Sequence, residues 1–172
     1  MYNYLLYFLA FSFLGWCVEV AFYIFKTGRL VNRGFAKGPF CPIYGFGISL
    51  SYLLLSSVKN FVLLSLLSMA IATVVELAAG IVFDKLLGIR LWDYSGERCN
   101  ISGYVCPKFS LIWGVFSAVV IRLMPLLDPL VILASSPRMR FVTMIIFILL
   151  LLDVKRSIAK VVRNSNGNIA AI

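Results

Sequence analysis

The stretch VEVAFYIFKTGRLVNRGFAKGPFCPIYGFG, residues 18–47, decides how the rest of the chain reads. It begins inside an apolar run that carries one glutamate, Glu19. A loop follows with Gly28-Arg29-Leu30 and Asn32-Arg33-Gly34, whose glycines exclude a continuous helix. Cys41-Pro42 ends the loop, and Tyr44-Gly45 stands at the head of a second apolar run. The same order returns downstream. Glu76 leads to Gly88-Ile89-Arg90-Leu91, Asn100-Ile101-Ser102-Gly103, Cys106-Pro107 and Trp113-Gly114. A carboxylate at hydrocarbon depth costs about 2.5–3.5 kcal/mol on insertion scales, so two at matching places point to use.

Composition agrees with a membrane protein. Of 172 residues, 62% are hydrophobic and only 13% charged, with a mean hydropathy of +0.98. The net charge of +9 would suggest nucleic acid in a soluble protein. Here the charges cluster between apolar runs and leave no basic stripe free of them, which argues against nucleic acid. The first apolar run lacks a basic leading segment and a small-residue cleavage site, so it reads as a retained membrane helix. Leu14-Gly15-Trp16-Cys17 makes a poor lipoprotein box because Trp16 sits beside the cysteine.

The expected fold is an all-α polytopic bundle of about five transmembrane helices. The spans fall near Tyr2–Phe25, Ile43–Val58, Phe61–Phe83, Phe109–Leu127 and Pro137–Val154. Residues 1–154 form one transmembrane domain and 155–172 a basic cytoplasmic tail, with an interfacial turn or two and a frayed end from Asn164. Lys59-Asn60 must be a tight turn. Pro125 and Pro129 predict a kink or break in the fourth span, leaving Leu130–Ser136 as an interfacial or re-entrant piece. Arg122 reads as an outer-leaflet anchor, with pairing to Asp128 as the alternative.

Orientation follows from the basic residues. Lys26, Arg29, Arg33 and Lys37 lie in one loop; Lys85, Arg90, Arg98 and Lys108 in another; Lys155, Arg156, Lys160 and Arg163 in the tail. The opposite connections hold Lys59, Arg138 and Arg140. The positive-inside rule then puts the N-terminus outside and the C-terminus in the cytoplasm of a multi-pass cell-membrane protein.

Under that topology the two helix–loop–helix hairpins, about 2–58 and 61–127, are parallel repeats, an arrangement that places a site between them. Coincidence among Gly-, Pro- and Arg-rich loops is the alternative. Helical spacing aligns Ser12, Gly15, Glu19 and Tyr23, and likewise Ser65, Ser68, Ala72, Glu76 and Gly80. Small and hydroxyl residues on a helix face permit close packing, so both glutamates should point into the bundle. They either bind a cationic or protic ligand, or staple a loop end in place. Arg29, Arg33 and Arg90 suit phosphate or carboxylate and equally suit anionic headgroups. Asp93 suits an arginine pair.

No histidine is present, which removes His-based acid–base and metal chemistry. Cys41, Cys99 and Cys106 lack a CxxC pair and lie on the expected cytoplasmic side, which disfavours metal and disulfide alike. There is no GxxxxGK[ST] loop and no Gly-x-Ser-x-Gly elbow, so the chain itself is not a P-loop ATPase. No cofactor is implied.

Two blocks carry a resemblance. They are Asn32-Arg33-Gly34-Phe35…Gly38-Pro39…Pro42-Ile43-Tyr44-Gly45 and Trp92-Asp93-Tyr94-Ser95…Asn100-Ile101-Ser102-Gly103…Trp113-Gly114. In these the chain resembles the putative ABC-transporter type IV, or CmpB-like, membrane proteins of bacteria. The resemblance implies a transporter permease, without an assigned substrate. Nothing resembles the EAA loop by which importer permeases engage an ATPase.

The leading expectation is a permease or transporter subunit with its polar site between the repeats, near the cytoplasmic leaflet. Its candidate ligand-binding residues are Glu19, Glu76, Asn32, Arg33, Tyr44, Trp92, Asp93, Tyr94, Asn100 and Trp113. Gly34, Gly38, Pro39, Pro42, Gly45 and Gly103 shape the backbone. Beyond the bilayer, a homodimer or larger complex, with or without a separate ATPase, would complete a pathway. A membrane-embedded lipid enzyme and an anionic-lipid-binding scaffold are the rivals.

Overall fold

A computed structural model describes the backbone of residues 2–32 and 34–169, and side chains within that range through Arg163, Asp128 excepted. Five helices follow one another: α1 (Tyr2–Thr27), α2 (Pro42–Leu55), α3 (Phe61–Leu87), α4 (Pro107–Ala134) and α5 (Pro137–Ile169). By length and composition α1, α3 and residues Pro107–Leu127 of α4 can cross a membrane. The protein is an all-helical membrane bundle. Its outer face is apolar, as a bilayer solvent requires, and its polar backbone is satisfied within helices.

Local chemistry sets the helix ends. Pro42 and Pro107 each occupy a first helical position, where the missing N–H costs nothing, after an extended Cys41 or Cys106. Asn60 caps α3 by accepting from the Leu63 N–H at 2.9 Å, which closes the tight turn from α2. Gly88 ends α3 at φ +65°, and the Ile89 N–H reaches back to the Phe83 carbonyl, a Schellman closure.

Two expectations need correction. α4 does not break at Pro125 or Pro129 but runs on to Ala134. Leu130 to Ala134 is therefore helix and not a separate re-entrant piece. Val131 joins Tyr7, Phe11, Ile48 and Met124 in one apolar cluster, and the Ala134 carbonyl accepts from the Tyr2 hydroxyl at 2.7 Å. Membrane helices tolerate such prolines when neighbours satisfy the freed groups. The basic tail is not a turn or two either: no proline interrupts it, and α5 continues unbroken through Asn164 to Ile169.

α1 packs on α2, α3 packs on α4, and the two hairpins join through α2 against α3 and α4. Within each hairpin a glycine on the second helix allows it to approach the first closely. A Cβ on Gly45 would collide with the Ser12 hydroxyl and the Phe8 carbonyl. A Cβ on Gly114 would stand 2.5 Å from Met69 and 2.8 Å from the Ser65 carbonyl. The second helices also start short of where the first ones end. The Cys41 N–H bonds the Ser12 carbonyl at 2.8 Å, so α1 continues past the foot of α2 by about 22 Å. Both loops fold back along the helix that precedes them.

Candidate functional site

Loop one, residues 28–41, is held against α1 by Asn32. Its side-chain oxygen accepts from Trp16 Nε1 at 2.7 Å and from the Gly34 N–H at 3.0 Å, while its nitrogen donates to the Lys37 carbonyl at 2.8 Å. The Gly38 N–H donates to Asp153 of α5 at 2.7 Å. Pro39 is exposed beside it. Arg33 lies outside the described residues.

Loop two, residues 88–106, is a tighter knot. Asp93 Oδ1 accepts from the Ser95 hydroxyl, from the Ser95 N–H at 3.0 Å and from Arg90 at 3.2 Å. The Ser95 hydroxyl and N–H hold the Asp93 carboxyl below the usual aspartate range, and Arg90 adds to this. Arg90 also donates to the Ser102 carbonyl at 2.8 Å and lies over the Tyr104 ring. Asn100 bridges Glu97 and Gly103, and Trp92 donates to the Tyr104 carbonyl at 2.8 Å. Gly103 sits at φ +73°, where a Cβ would also meet Asp93 and Ser95.

Asn32, Trp92, Asp93 and Asn100 spend their hydrogen bonds on closing the loops. The Arg90 fork, read as open to phosphate or headgroup, is engaged by its own loop.

The other candidates come together. Tyr44, at the head of α2, donates to Glu19 Oε1 at 2.6 Å. Tyr94 of loop two donates to Glu76 Oε1 at 2.9 Å and stacks on Phe109 at 4.7 Å. Burial, and then the neighbouring Glu76, push the Tyr94 hydroxyl well above the usual phenol range, so it remains a donor at physiological pH. Trp113 of α4 meets Tyr44 edge to face at 5.3 Å, and its indole is in reach of the Tyr94 hydroxyl. The result is one chain of groups, Glu19–Tyr44–Trp113–Tyr94–Glu76, that crosses from one hairpin to the other.

The two carboxylates sit on α1 and α3, each bonded by a different phenol. Three aromatic side chains stand between them. Glu76 is 8% exposed and Glu19 is half-buried. Chemically the chain offers two carboxylates, two phenol donors and π-faces at the level where α2 and α4 begin. Among the described residues no group of three or more His, Cys, Asp or Glu side chains is arranged to hold a metal ion.

Sequence reasoning missed Trp16, Tyr104 and Asp153 as loop clasps. Asp153 had one available signal, a lone acid at the end of an apolar run. Arg122, read as an outer-leaflet anchor, donates to the Val58 carbonyl at 2.9 Å and to that of Lys59, which pins the α2–α3 turn; the alternative pairing with Asp128 falls on a side chain outside the described residues.

One family model, described as putative ABC-transporter type IV, matches residues 6–158. No curated protein and no solved structure matches the chain.

Proposed function

The chain belongs to the putative ABC-transporter type IV family, and from that premise we propose that it is a permease-like subunit of a membrane transporter. Its polar site is the aromatic chain between Glu19 and Glu76, and its ligand is cationic or protic. The observation that carries this reading is the Tyr44–Trp113 contact, which joins two Tyr–Glu pairs from separate hairpins. Acids inside membrane bundles mark ion or substrate paths more often than packing needs. The matching Cys-Pro helix starts, the paired glycines and the two Tyr–Glu bonds support a duplicated hairpin as its architecture. The N-terminus is outside, the C-terminus is cytoplasmic, and partner subunits or a second copy complete the pathway.

The test uses everted vesicles from cells making the chain with its native neighbours. They are supplied with ATP and a mixed panel of inorganic cations, organic cations and neutral protic solutes, then assayed by mass spectrometry. The wild type should change the vesicle content of at least one panel member, and the Glu19→Gln/Glu76→Gln double variant should not, at equal insertion. Identical content for every member overturns the reading.

One observation favours a second reading, that of an anionic-lipid scaffold. Lys155, Arg156, Lys160 and Arg163 are exposed on α5 within about 140° of arc, given 100° per residue. Such a basic stripe at a membrane exit suits anionic headgroups.

A further inference from the structure

The two glutamates hold matching places in their hairpins but have different surroundings. Glu19 is half-buried and receives Tyr44 on Oε1. Glu76 is buried, receives Tyr94 on Oε1, and has no hydrogen-bond partner for Oε2 among the described residues. Neither joins an ion pair among the described residues.

Among the described residues, the groups around Glu76 offer no compensation for a negative charge beyond that one phenol. Loop two contributes Tyr94, with Cys106 near it. α4 contributes Trp113 and Phe109, neither of which titrates. α2 contributes Tyr44, which donates to Glu19 of α1, a second carboxyl that brings no positive charge to the site. Farther along α3, Asp84 is bonded by Tyr104. On α5, Asp153 is engaged by the Gly38 N–H. A carboxylate oxygen buried without donors keeps its full desolvation cost.

The space is also small. The adjoining turn of α3 is closed by Tyr104, which a Cβ on Gly80 would approach to 2.9 Å. Tyr94 is fixed between Glu76 and the Phe109 ring. An occupant of Glu76 Oε2 that needs no cavity is a proton.

We propose that the pseudo-equivalent acids divide their work, with Glu76 as the proton-binding acid of the site and the half-buried Glu19 as its more accessible counterpart. Pairs of carboxyl groups in unlike environments take separate acid and base roles in this way. The inference rests on reading the aromatic chain as the working site, and it assigns that site a proton as ligand.

Dicyclohexylcarbodiimide tests it, because this apolar reagent adds to protonated carboxyl groups. Purified full-length chain and native membranes are treated at pH 6 and pH 8.5, then digested for peptide mass spectrometry. The Glu76 peptide should carry the adduct at least fivefold more than the Glu19 peptide, and less of it at the higher pH. Tyr94→Phe, which removes the donor to the carboxylate while keeping the ring, should extend labelling to higher pH. Absence of the Glu76 adduct, equal labelling of Glu19, or pH-independent labelling overturns the proposal. A labelled Glu76 in vesicles that move no panel member leaves the proton site standing and removes the transport reading. Movement of a panel member without the adduct does the reverse.

Discussion

Tyr44 and Trp113 meet edge to face, with ring centroids 5.3 Å apart and planes at 88°. Each directly precedes the glycine at which its helix closes on its partner, Gly45 or Gly114. The contact therefore couples the packing of one hairpin to that of the other. An edge-to-face pair contributes about 0.5–1.5 kcal/mol beyond area burial. Trp113→Phe keeps a ring and should cost little in thermal stability. Trp113→Ala should cost about 3 kcal/mol, in the range of core aromatic truncations. Thermal unfolding in one detergent checks this, and equal midpoints for the two variants would count against a bridging role.

Close helix approach predicts a second outcome. Gly45→Ala must displace the Ser12 hydroxyl and the Phe8 carbonyl, and Gly114→Ala must displace Met69 and the Ser65 carbonyl. Backbone oxygens cannot rotate away, so each substitution should destabilise by about 1–3 kcal/mol. Gly47 has open space around it, and Gly47→Ala should be near neutral. Protease resistance of the three variants in native membranes separates them, and a sensitive Gly47→Ala protein would contradict the packing account.

Much of this was legible in the residues. Apolar run lengths gave the helices, Cys-Pro gave two helix starts, and the spacing of Ser65, Ser68, Glu76 and Gly80 gave a face that is buried. Glu19, Tyr44, Tyr94, Trp113 and Glu76 are all legible as candidates from residue type and place, whereas their mutual contacts are a property of the fold. The loops were less legible. Asn32, Asn100 and Asp93 are chemically suited both to a ligand and to a turn, and only the fold decides that they close turns. Pro125 misled because a proline's effect on a membrane helix depends on neighbours that a sequence does not place. Asp153 was missed because its partner, the Gly38 N–H, is 115 residues away and carries no side-chain signal.

Loop two should respond to acid in a definite direction. The folded Asp93 carboxyl titrates below its unfolded value of about 3.9. The stability it lends is complete above that unfolded value and is lost as pH falls through the lower folded one. Hydrogen exchange of the Ser95 amide, corrected for intrinsic rate, should stay slow down to about pH 4 and accelerate below it. Asp93→Asn should remove this acid step and raise exchange at neutral pH. A step that persists in the variant would assign it to another group.

The clasp between loop one and α5 is the last test. Asp153 is half-buried and accepts from the Gly38 N–H at 2.7 Å, next to the segment that Asn32 ties to Trp16. Hydrogen bonds to charged acceptors contribute about 1.5–3 kcal/mol, and partial exposure favours the low end. Asp153→Ala should therefore speed exchange at the Gly38 amide about tenfold, since about 1.4 kcal/mol is a factor of ten. Asp153→Asn keeps an oxygen acceptor without the charge and should fall between the two. Trp16→Phe removes the indole donor to Asn32 and should loosen the Gly34 amide before the Gly38 amide. If all three substitutions release both amides equally, loop one opens as a single unit and neither bond holds a separate part of it.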